Sequence, residues 1–317
     1  MQKNFADRVL QDIAQKKSPT VIAIDPVYAR LPAEISEHRD LNDEADVEAA
    51  LDASLEFCRR VIRIVAPHVC AIKLNSAFFE RYYNEGIEGY FELVQEAAEH
   101  GLIVIGDIKR GDIGHSSEMY ARAHLGDSEF TNLDDLVTPD AVTVSGYFGT
   151  DGVKPFIDAA RDSERGKGVF VLVRTSNESA GTIQDVPLAD GRKFHELMAA
   201  QVDEWAAESG LTGARGYSSV GAVVSTRDQA VASRLRSLMP QSLLLAPGYG
   251  AQGMTAADFA PLFKSDGSGA LVVAGRSVIY AYEDPRYIER FTSEWDKCIE
   301  QACKDFVNEI RQIARLS

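Results

Sequence analysis

The sequence predicts a (β/α)8 barrel of the α/β class, formed as a single domain by residues 1–317 with additional helices at both ends. Eight short segments are apolar on both faces, as parallel strands covered by helices are. Amphipathic helical patterns lie between them, and polar residues follow each segment. The alternative is an open doubly wound sheet, whose glycine fingerprint should follow the first strand. The nearest match, GYGAQG, follows the seventh segment, which favours the barrel.

The helices and strands alternate along the chain. Phe5, Val9 and Ile13 are spaced as on one face of a helix, so we expect a helix before the first strand. Residues 47–65 and 91–98 repeat this spacing between strands, and residues 288–313 predict one long helix after the last. The predicted strands are TVIAID (20–25), VCAIKLN (69–75), LIVIGDIK (102–109), AVTVSG (141–146), VFVLVRTSN (169–177), GAVVS (221–225), LLLAPGYG (243–250) and ALVVAGRS (270–277).

Polar or conformationally special residues stand where the predicted strands end. Active sites of such barrels are built at this carboxyl-terminal rim, so these residues are the first candidates for a site. A strand that simply ends where polarity begins is the alternative, and it explains less well why lysines follow AI and DI inside apolar segments. The candidates are Asp25, Lys73, Asp107 with Lys109, Ser145, Thr175 with Ser176, Ser225, Pro247 with Gly248, and Gly275 with Arg276.

Composition limits the possible partners. Hydrophobic residues make up 45% and charged residues 26% of the 317 residues, which is typical of a soluble globular protein. The net charge of −15 argues against nucleic acid or an anionic membrane as partner, and no stretch approaches the roughly 18 apolar residues of a membrane span. Buried thiols in a reducing, cytoplasmic setting are expected for the cysteines. These are Cys58, Cys70, Cys298 and Cys303.

The segment GDIKRGDIG (106–114) carries the densest charge at the rim. Asp107 and Lys109 are two apart on a strand, so they point to the same side. Asp112 lies beyond the strand end, and Lys73 ends the preceding strand, which is expected to be the neighbour in the barrel. Removing one such charge from water costs several kcal/mol, so an array of two ammonium groups and two carboxylates needs partners for each member.

Three interpretations of this array remain open. It could be a network of salt bridges at the rim. Asp107, Asp112 and His115 could instead hold a divalent metal, although two lysines already neutralise the acids; otherwise we expect His115 to satisfy a helix N-terminus and His124 to lie on a helix surface. The third interpretation is proton chemistry, because a lysine between carboxylates stays protonated and can donate to carbon or stabilise a carbanion.

A phosphate site is predicted at the seventh and eighth strand ends. Gly275 and Arg276 end the eighth strand, and PGYGAQG follows the seventh, where barrels of this class usually bind phosphate. Glycines let backbone N–H groups approach the oxygens, and arginine adds a charged bidentate contact. Turn glycines and a surface arginine are the alternative. The long polar stretch 174–191 is predicted to be a lid, with Thr175 and Ser176 offering hydroxyls at its base.

Together these residues resemble the orotidine 5′-phosphate decarboxylases. The family motif Asp-x-Lys-x-x-Asp-Ile-Gly matches residues 107–114. Asp25 in AIDP, Lys73 in IKLN and the Gly-Arg pair 275–276 match the family's positions on strands one, two and eight. The resemblance extends from about residue 20 to 282, and KLNSAFFE, RTSN and APGYGAQG are similar to the longer branch of the family. One departure is Ser116, where the family usually has threonine.

The resemblance implies conversion of orotidine 5′-phosphate to UMP and CO2 in de novo pyrimidine biosynthesis, without cofactor or metal. It implies that Lys109 protonates ring C6, that Asp107 lies beside the departing carboxylate, and that Lys73 and Asp112 hold Lys109 in place. It also implies a homodimer in which Asp112 and Ser116 reach into the partner's site. The substrate contacts that it implies are Asp25, Asn75, Ser116, Thr175, Ser176, Gln252, Gly275 and Arg276.

Two other functions remain open. Related metal-dependent barrels, such as hexulose-phosphate synthases and keto-gulonate-phosphate decarboxylases, share the Asp-x-Lys-x-x-Asp motif but carry an acidic metal ligand near the place of Lys73. The lysine therefore argues against them. A nucleotide-binding protein without activity on the same barrel is the other possibility, and the intact set of Asp107, Lys109 and Asp112 argues against it.

Overall fold

Eight parallel strands close into a barrel in this computed structural model, which describes residues 4–36, 46–133, 135–225, 227–292 and 294–316. Each strand pairs with the next in sequence, and the eighth pairs with the first, so the predicted (β/α)8 barrel is confirmed. The strands are β1 Thr20–Ile24, β2 Ala71–Asn75, β3 Ile103–Arg110, β4 Ala141–Ser145, β5 Gly168–Arg174, β6 Val220–Val224, β7 Leu244–Tyr249 and β8 Ala270–Ala274.

Helices cover the outside of the barrel and follow most strands. None of those in the described ranges has a run long and apolar enough to cross a membrane. The helices are α1 Phe5–Lys16, α2 Ala33–Ser36, α3 Val47–Val65, α4 Ala77–Glu80, α5 Tyr83–Glu99, α6 Gly114–His124, α7 Thr150–Asp162, α8 Ala180–Gln184, α9 Phe194–Ala206, α10 Gln229–Leu238, α11 Ala256–Phe259, α12 Arg276–Ile279, α13 Pro285–Phe291 and α14 Trp295–Ile313.

The predicted first helix covers the amino end of the barrel. Asn4 caps α1 by accepting a hydrogen bond from the N–H of Asp7, and the apolar face of the helix is buried with the side chains of the barrel interior. The Phe5 ring meets the Phe170 ring of β5 edge to face, with centroids 5.8 Å apart. A Cβ on Gly168 would lie 2.3 Å from the Phe5 ring, so β5 must begin with glycine.

Three local predictions are wrong. The apolar pattern over residues 288–313 is divided between α13 and α14, because α13 ends at Thr292 with its backbone in a left-handed conformation at φ 55°. His115 is almost fully exposed in the first turn of α6, and its Nδ1 lies 3.2 Å from the carboxylate of Glu118 rather than capping the helix. His124 is half-buried at the end of α6, where burial lowers its pKa to about 4.

The four cysteines are buried and free, as expected for structural thiols. Burial in an apolar environment disfavours the thiolate, and it raises the pKa of Cys70 and Cys303 to about 12. None of the four lines the cavity described below.

Candidate active site

A cavity of about 240 Å³ opens at the carboxyl end of the barrel, and every strand contributes to its wall. Its lining includes ten of the twelve residues predicted for the site. These ten are Asp25, Lys73, Asn75, Asp107, Lys109, Thr175, Ser176, Gln252, Gly275 and Arg276.

The carboxylate of Asp107 is buried between two ammonium groups. Lys73 Nζ lies 2.6 Å from Oδ2, and Lys109 Nζ lies 2.6 Å from Oδ1. Burial alone would raise the pKa of Asp107, but the two lysines outweigh it and hold this pKa well below its ordinary value. Asp107 is therefore an anion shared by two cations at the floor of the cavity.

Lys73 is the enclosed member of the pair. Its side chain is 8% exposed, and its Nζ also lies 4.0 Å from Oδ1 of Asp25 at the end of β1. Burial acts to lower the pKa of Lys73, yet the carboxylates of Asp25 and Asp107 outweigh it and raise the pKa above its ordinary value. Lys73 is consequently a fixed positive charge between strands β1 and β3.

Lys109 is the accessible member of the pair, with 48% of its side chain exposed. Its backbone is left-handed at φ 46°, within an irregularity where the pairing of β3 with β4 shifts register between Gly106 and Arg110. Non-glycine residues rarely adopt this conformation, and those that do are concentrated at functional sites. The bulge places an ammonium group inside the cavity while its partner Asp107 stays buried.

Thr143 of β4 completes this cluster, and the sequence analysis missed it. Its hydroxyl donates to Asp107 Oδ1 at 2.8 Å and accepts from the backbone N–H of Lys109 at 3.1 Å. The hydroxyl thus links β4 to the part of β3 where the regular pairing shifts. A polar residue within the apolar strand AVTVS was the available signal.

The loops after β7 and β8 form another part of the cavity wall. Gly248 has φ 129°, which favours glycine, and a Cβ there would meet the sulfur of Met254 at 2.7 Å. The side chain of Arg227 donates to the backbone carbonyl of Gln252, and Ser277 Oγ donates to that of Tyr249 at 3.3 Å. The loop carrying Gln252 is thus held from both sides.

Asp112 and Ser116 do not line this cavity. Asp112 Oδ1 accepts a hydrogen bond from the N–H of Ile113 at 2.8 Å, and Ser116 is exposed on α6. Within one chain the second carboxylate beside the lysines is therefore Asp25. Ser145 and Ser225, also singled out at strand ends, do not line the cavity either; Ser225 donates to the carbonyl of Pro247 at 2.7 Å.

The residues considered for a metal are not brought together. Asp107 is occupied by the two lysines, and His115 lies on the surface of α6. Over the described ranges, no group of three or more histidine, cysteine, aspartate or glutamate side chains has the arrangement of a metal site.

Known proteins resemble this chain over most of its length. The protein-family model "Orotidine 5'-phosphate decarboxylase / HUMPS family" matches residues 45–290. Orotidine 5′-phosphate decarboxylase of Caldicellulosiruptor saccharolyticus is 36% identical over 283 residues, 89% of this chain and 91% of the relative. The enzyme of Rhodopirellula baltica is 34% identical over 302 residues, 94% of this chain and 96% of the relative.

A solved structure of an orotidine 5′-phosphate decarboxylase shares the fold. The structure of Leishmania donovani OMP decarboxylase superposes with a TM-score of 0.71 at 25% identity, covering 99% of this chain and 100% of that chain. The family model and the sequence relatives extend the agreement from the fold to the sequence. The chain belongs to the orotidine 5′-phosphate decarboxylase / HUMPS family.

Proposed function

We propose that this protein decarboxylates orotidine 5′-phosphate to UMP and CO2 in de novo pyrimidine biosynthesis, as a carboxy-lyase that needs no cofactor. The observation that carries the proposal is the buried carboxylate of Asp107 held between Lys73 and Lys109. In the metal-dependent branch an acidic metal ligand is expected near Lys73, whereas here an ammonium group occupies that place. The relatives named as decarboxylases support the same choice.

The accessible lysine has the chemistry that the reaction needs. Breaking the bond between C6 and the carboxylate releases CO2 and leaves the electron pair on C6. The Lys109 ammonium stabilises that carbanion and then transfers a proton to C6, which gives UMP. The lysine regains its proton from water. Asp107 pairs with the Lys109 ammonium and fixes its position, while Lys73 holds the same carboxylate from the enclosed side.

The rim residues fit the rest of the nucleotide. Asp25 lines the cavity, and its Oδ1 accepts no hydrogen bond from the described residues. Its carboxylate therefore suits a ribose hydroxyl, together with Asn75. Thr175 and Ser176 suit the polar edge of the pyrimidine. Gln252, Gly275 and Arg276 suit the phosphate, and Arg276 supplies the local positive charge that a chain of net charge −15 needs for an anion.

We also propose a homodimer. The surface around Asp112 exposes large apolar side chains on α6, on the loop that follows it and on the loop before α7, with which α6 packs. Ile113 is 56% exposed and Tyr147 is 74% exposed. Large apolar side chains exposed near one another are typical of an interface. The exposed residues are Ile113, Met119, Tyr120, Phe130, Leu133, Tyr147 and Phe148. A partner there would receive Asp112 and Ser116 in its own cavity.

We propose that residues 1–317 form one domain and that the protein acts in the cytoplasm, which the four free, buried thiols support.

A direct assay tests the activity. Purified protein is mixed with orotidine 5′-phosphate, and the loss of its ultraviolet absorbance is followed while UMP is quantified by chromatography. Stoichiometric UMP formation is expected. Absence of UMP, combined with turnover of a hexulose phosphate in the presence of Mg²⁺, would assign the chain to the metal-dependent branch instead.

A further inference from the structure

The segment between β5 and α9 folds back onto its own first residue. It leaves the strand after Arg174, forms α8, and returns to Phe194, whose N–H donates to the carbonyl of Val186 at 3.0 Å. Its first two residues, Thr175 and Ser176, line the cavity. The contacts that hold the segment therefore bear directly on the wall of the active site.

The side-chain amide of Gln184, at the end of α8, makes two hydrogen bonds to Thr175. Gln184 Oε1 accepts from the backbone N–H of Thr175 at 2.8 Å, and Nε2 donates to Thr175 Oγ1 at 2.8 Å. The amide thus fixes both the backbone and the hydroxyl of a single residue. Gln184 itself does not line the cavity, whereas Thr175, which its amide binds, does.

Asp185, the next residue, is held by two basic side chains. Arg174 reaches both of its carboxylate oxygens, at 3.2 and 3.0 Å, and the same guanidinium donates to the carbonyl of Thr175 at 2.6 Å. Nδ1 of the buried His195 lies 3.0 Å from Asp185 Oδ1 and 2.9 Å from the carbonyl of Gln184. The backbone of residues 184 and 185 is thereby anchored to β5 and α9. This anchoring fixes the position of the Gln184 amide beside Thr175.

We propose that Gln184 is a positioning residue for the pyrimidine end of the site: held by the Arg174–Asp185–His195 contacts, it orients Thr175 and, through it, Ser176. The inference rests on the proposed function for the identity of the ligand. It predicts that removing the Gln184 amide weakens recognition of the base and leaves recognition of the ribose phosphate unchanged.

Gln184→Met tests this, because methionine has a similar length and shape but cannot make either hydrogen bond. Gln95→Met is the matched control, since Gln95 is exposed on α5 and its side-chain amide donates to Glu99, four residues on. Affinities for UMP and for ribose 5-phosphate, which lacks the base, are measured by calorimetry, together with Tm, kcat and KM. Gln184→Met is expected to weaken UMP binding and raise KM about tenfold, with unchanged ribose 5-phosphate binding. Gln95→Met should behave as wild type.

A double-mutant cycle with Thr175→Val checks that the effect passes through Thr175. Less than additive losses of UMP affinity are expected, because both substitutions break the same side-chain hydrogen bond. Additive losses would overturn the proposal. So would unchanged UMP affinity in Gln184→Met, or equal weakening of UMP and ribose 5-phosphate, since the latter indicates a general distortion.

A substitute variant and a wild-type control complete the binding experiment. If Gln184→Met does not fold, Gln184→Glu replaces it, because its carboxylate still accepts from the Thr175 N–H; a smaller loss confined to UMP is expected, and no loss overturns the proposal. Wild-type protein that binds UMP without decarboxylating orotidine 5′-phosphate would remove the proposed function, while the binding comparison would still decide the role of Gln184.

Discussion

Lys73 and Lys109 bind opposite oxygens of one carboxylate, each with its Nζ 2.6 Å from Asp107. They differ in access, because 8% of the Lys73 side chain and 48% of the Lys109 side chain is exposed. Lys73 is therefore the enclosed charge, and Lys109 is the accessible one that the proposed mechanism uses as proton donor. The first prediction depends on this difference.

Lys109→Ala is expected to lower kcat and kcat/KM by several orders of magnitude, because it removes both the group that stabilises the carbanion and the proton donor. Steady-state kinetics with orotidine 5′-phosphate measure this, with circular dichroism as the check on folding. A loss below about tenfold, or about 1.4 kcal/mol of transition-state stabilisation, would mean that another group performs the chemistry.

Arg276→Ala is expected to act mainly on binding. Its exposed guanidinium at the start of α12 lines the cavity and is proposed to bind the phosphate, so the substitution should raise KM and weaken UMP affinity. Titration with UMP and the dependence of rate on substrate concentration measure the two effects. Unchanged values of both would remove Arg276 from the phosphate site.

Activity is expected to survive thorough chelation. Lys73 and Lys109 supply next to Asp107 the positive charge that a metal would otherwise bring. The assay is repeated after incubation with EDTA and gel filtration. Activity that disappears and returns with Mg²⁺ would contradict the proposed mechanism.

Mixing two inactive variants tests the homodimer. Asp112 lies outside the cavity of its own chain, and in the proposed homodimer it completes the partner's site. Each site then needs Lys109 of one chain and Asp112 of the other, so Lys109→Ala and Asp112→Ala should each be nearly inactive alone. Random exchange makes half of the dimers mixed, and each mixed dimer has one intact site. About one quarter of wild-type activity should therefore return, by the symmetry of a closed dimer. If exchange is verified and no activity returns, Asp112 serves its own chain.

His124 is expected to make stability depend on pH. Burial, with a further contribution from Arg110 that outweighs Glu80, lowers the folded-state pKa of His124 from 6.5 to about 4. The unfolded chain binds the proton first as pH falls, so the free energy of unfolding should decrease between pH 6.5 and 4. Urea titrations at several pH values should show a smaller decrease for His124→Gln than for wild type. Identical pH profiles would show that His124 is not the cause.

Strand periodicity explains why most of the site could be predicted. In a parallel barrel it determines which strand-end side chains face the cavity, so Lys73 and Asp107 followed from their positions. Thr143 did not, because a single threonine within an apolar strand is equally typical of ordinary strand structure. The left-handed backbone of Lys109 and its hydrogen bond to Thr143 depend on the register shift between β3 and β4, which the sequence of neither strand reveals alone.

The wrong predictions share a cause in tertiary packing. The apolar spacing of residues 288–313 continues without glycine or proline, yet Thr292 interrupts the helix. As a result α13 packs against α14, and α14 packs on α3, α11 and α12. His124 was expected at a surface, but the fold places it beside Arg110 and Glu80. Helical spacing describes one face of one helix and carries no information on what covers it.

Helix α1 determines by which end of the barrel ligands can enter and leave the cavity. Phe5 of α1 packs against Phe170, and together they close the amino end of the barrel. Substrate, nucleotide product and CO2 must then all pass through the same opening, beside Thr175 and Arg276. UMP must therefore leave through this opening before the next substrate can enter.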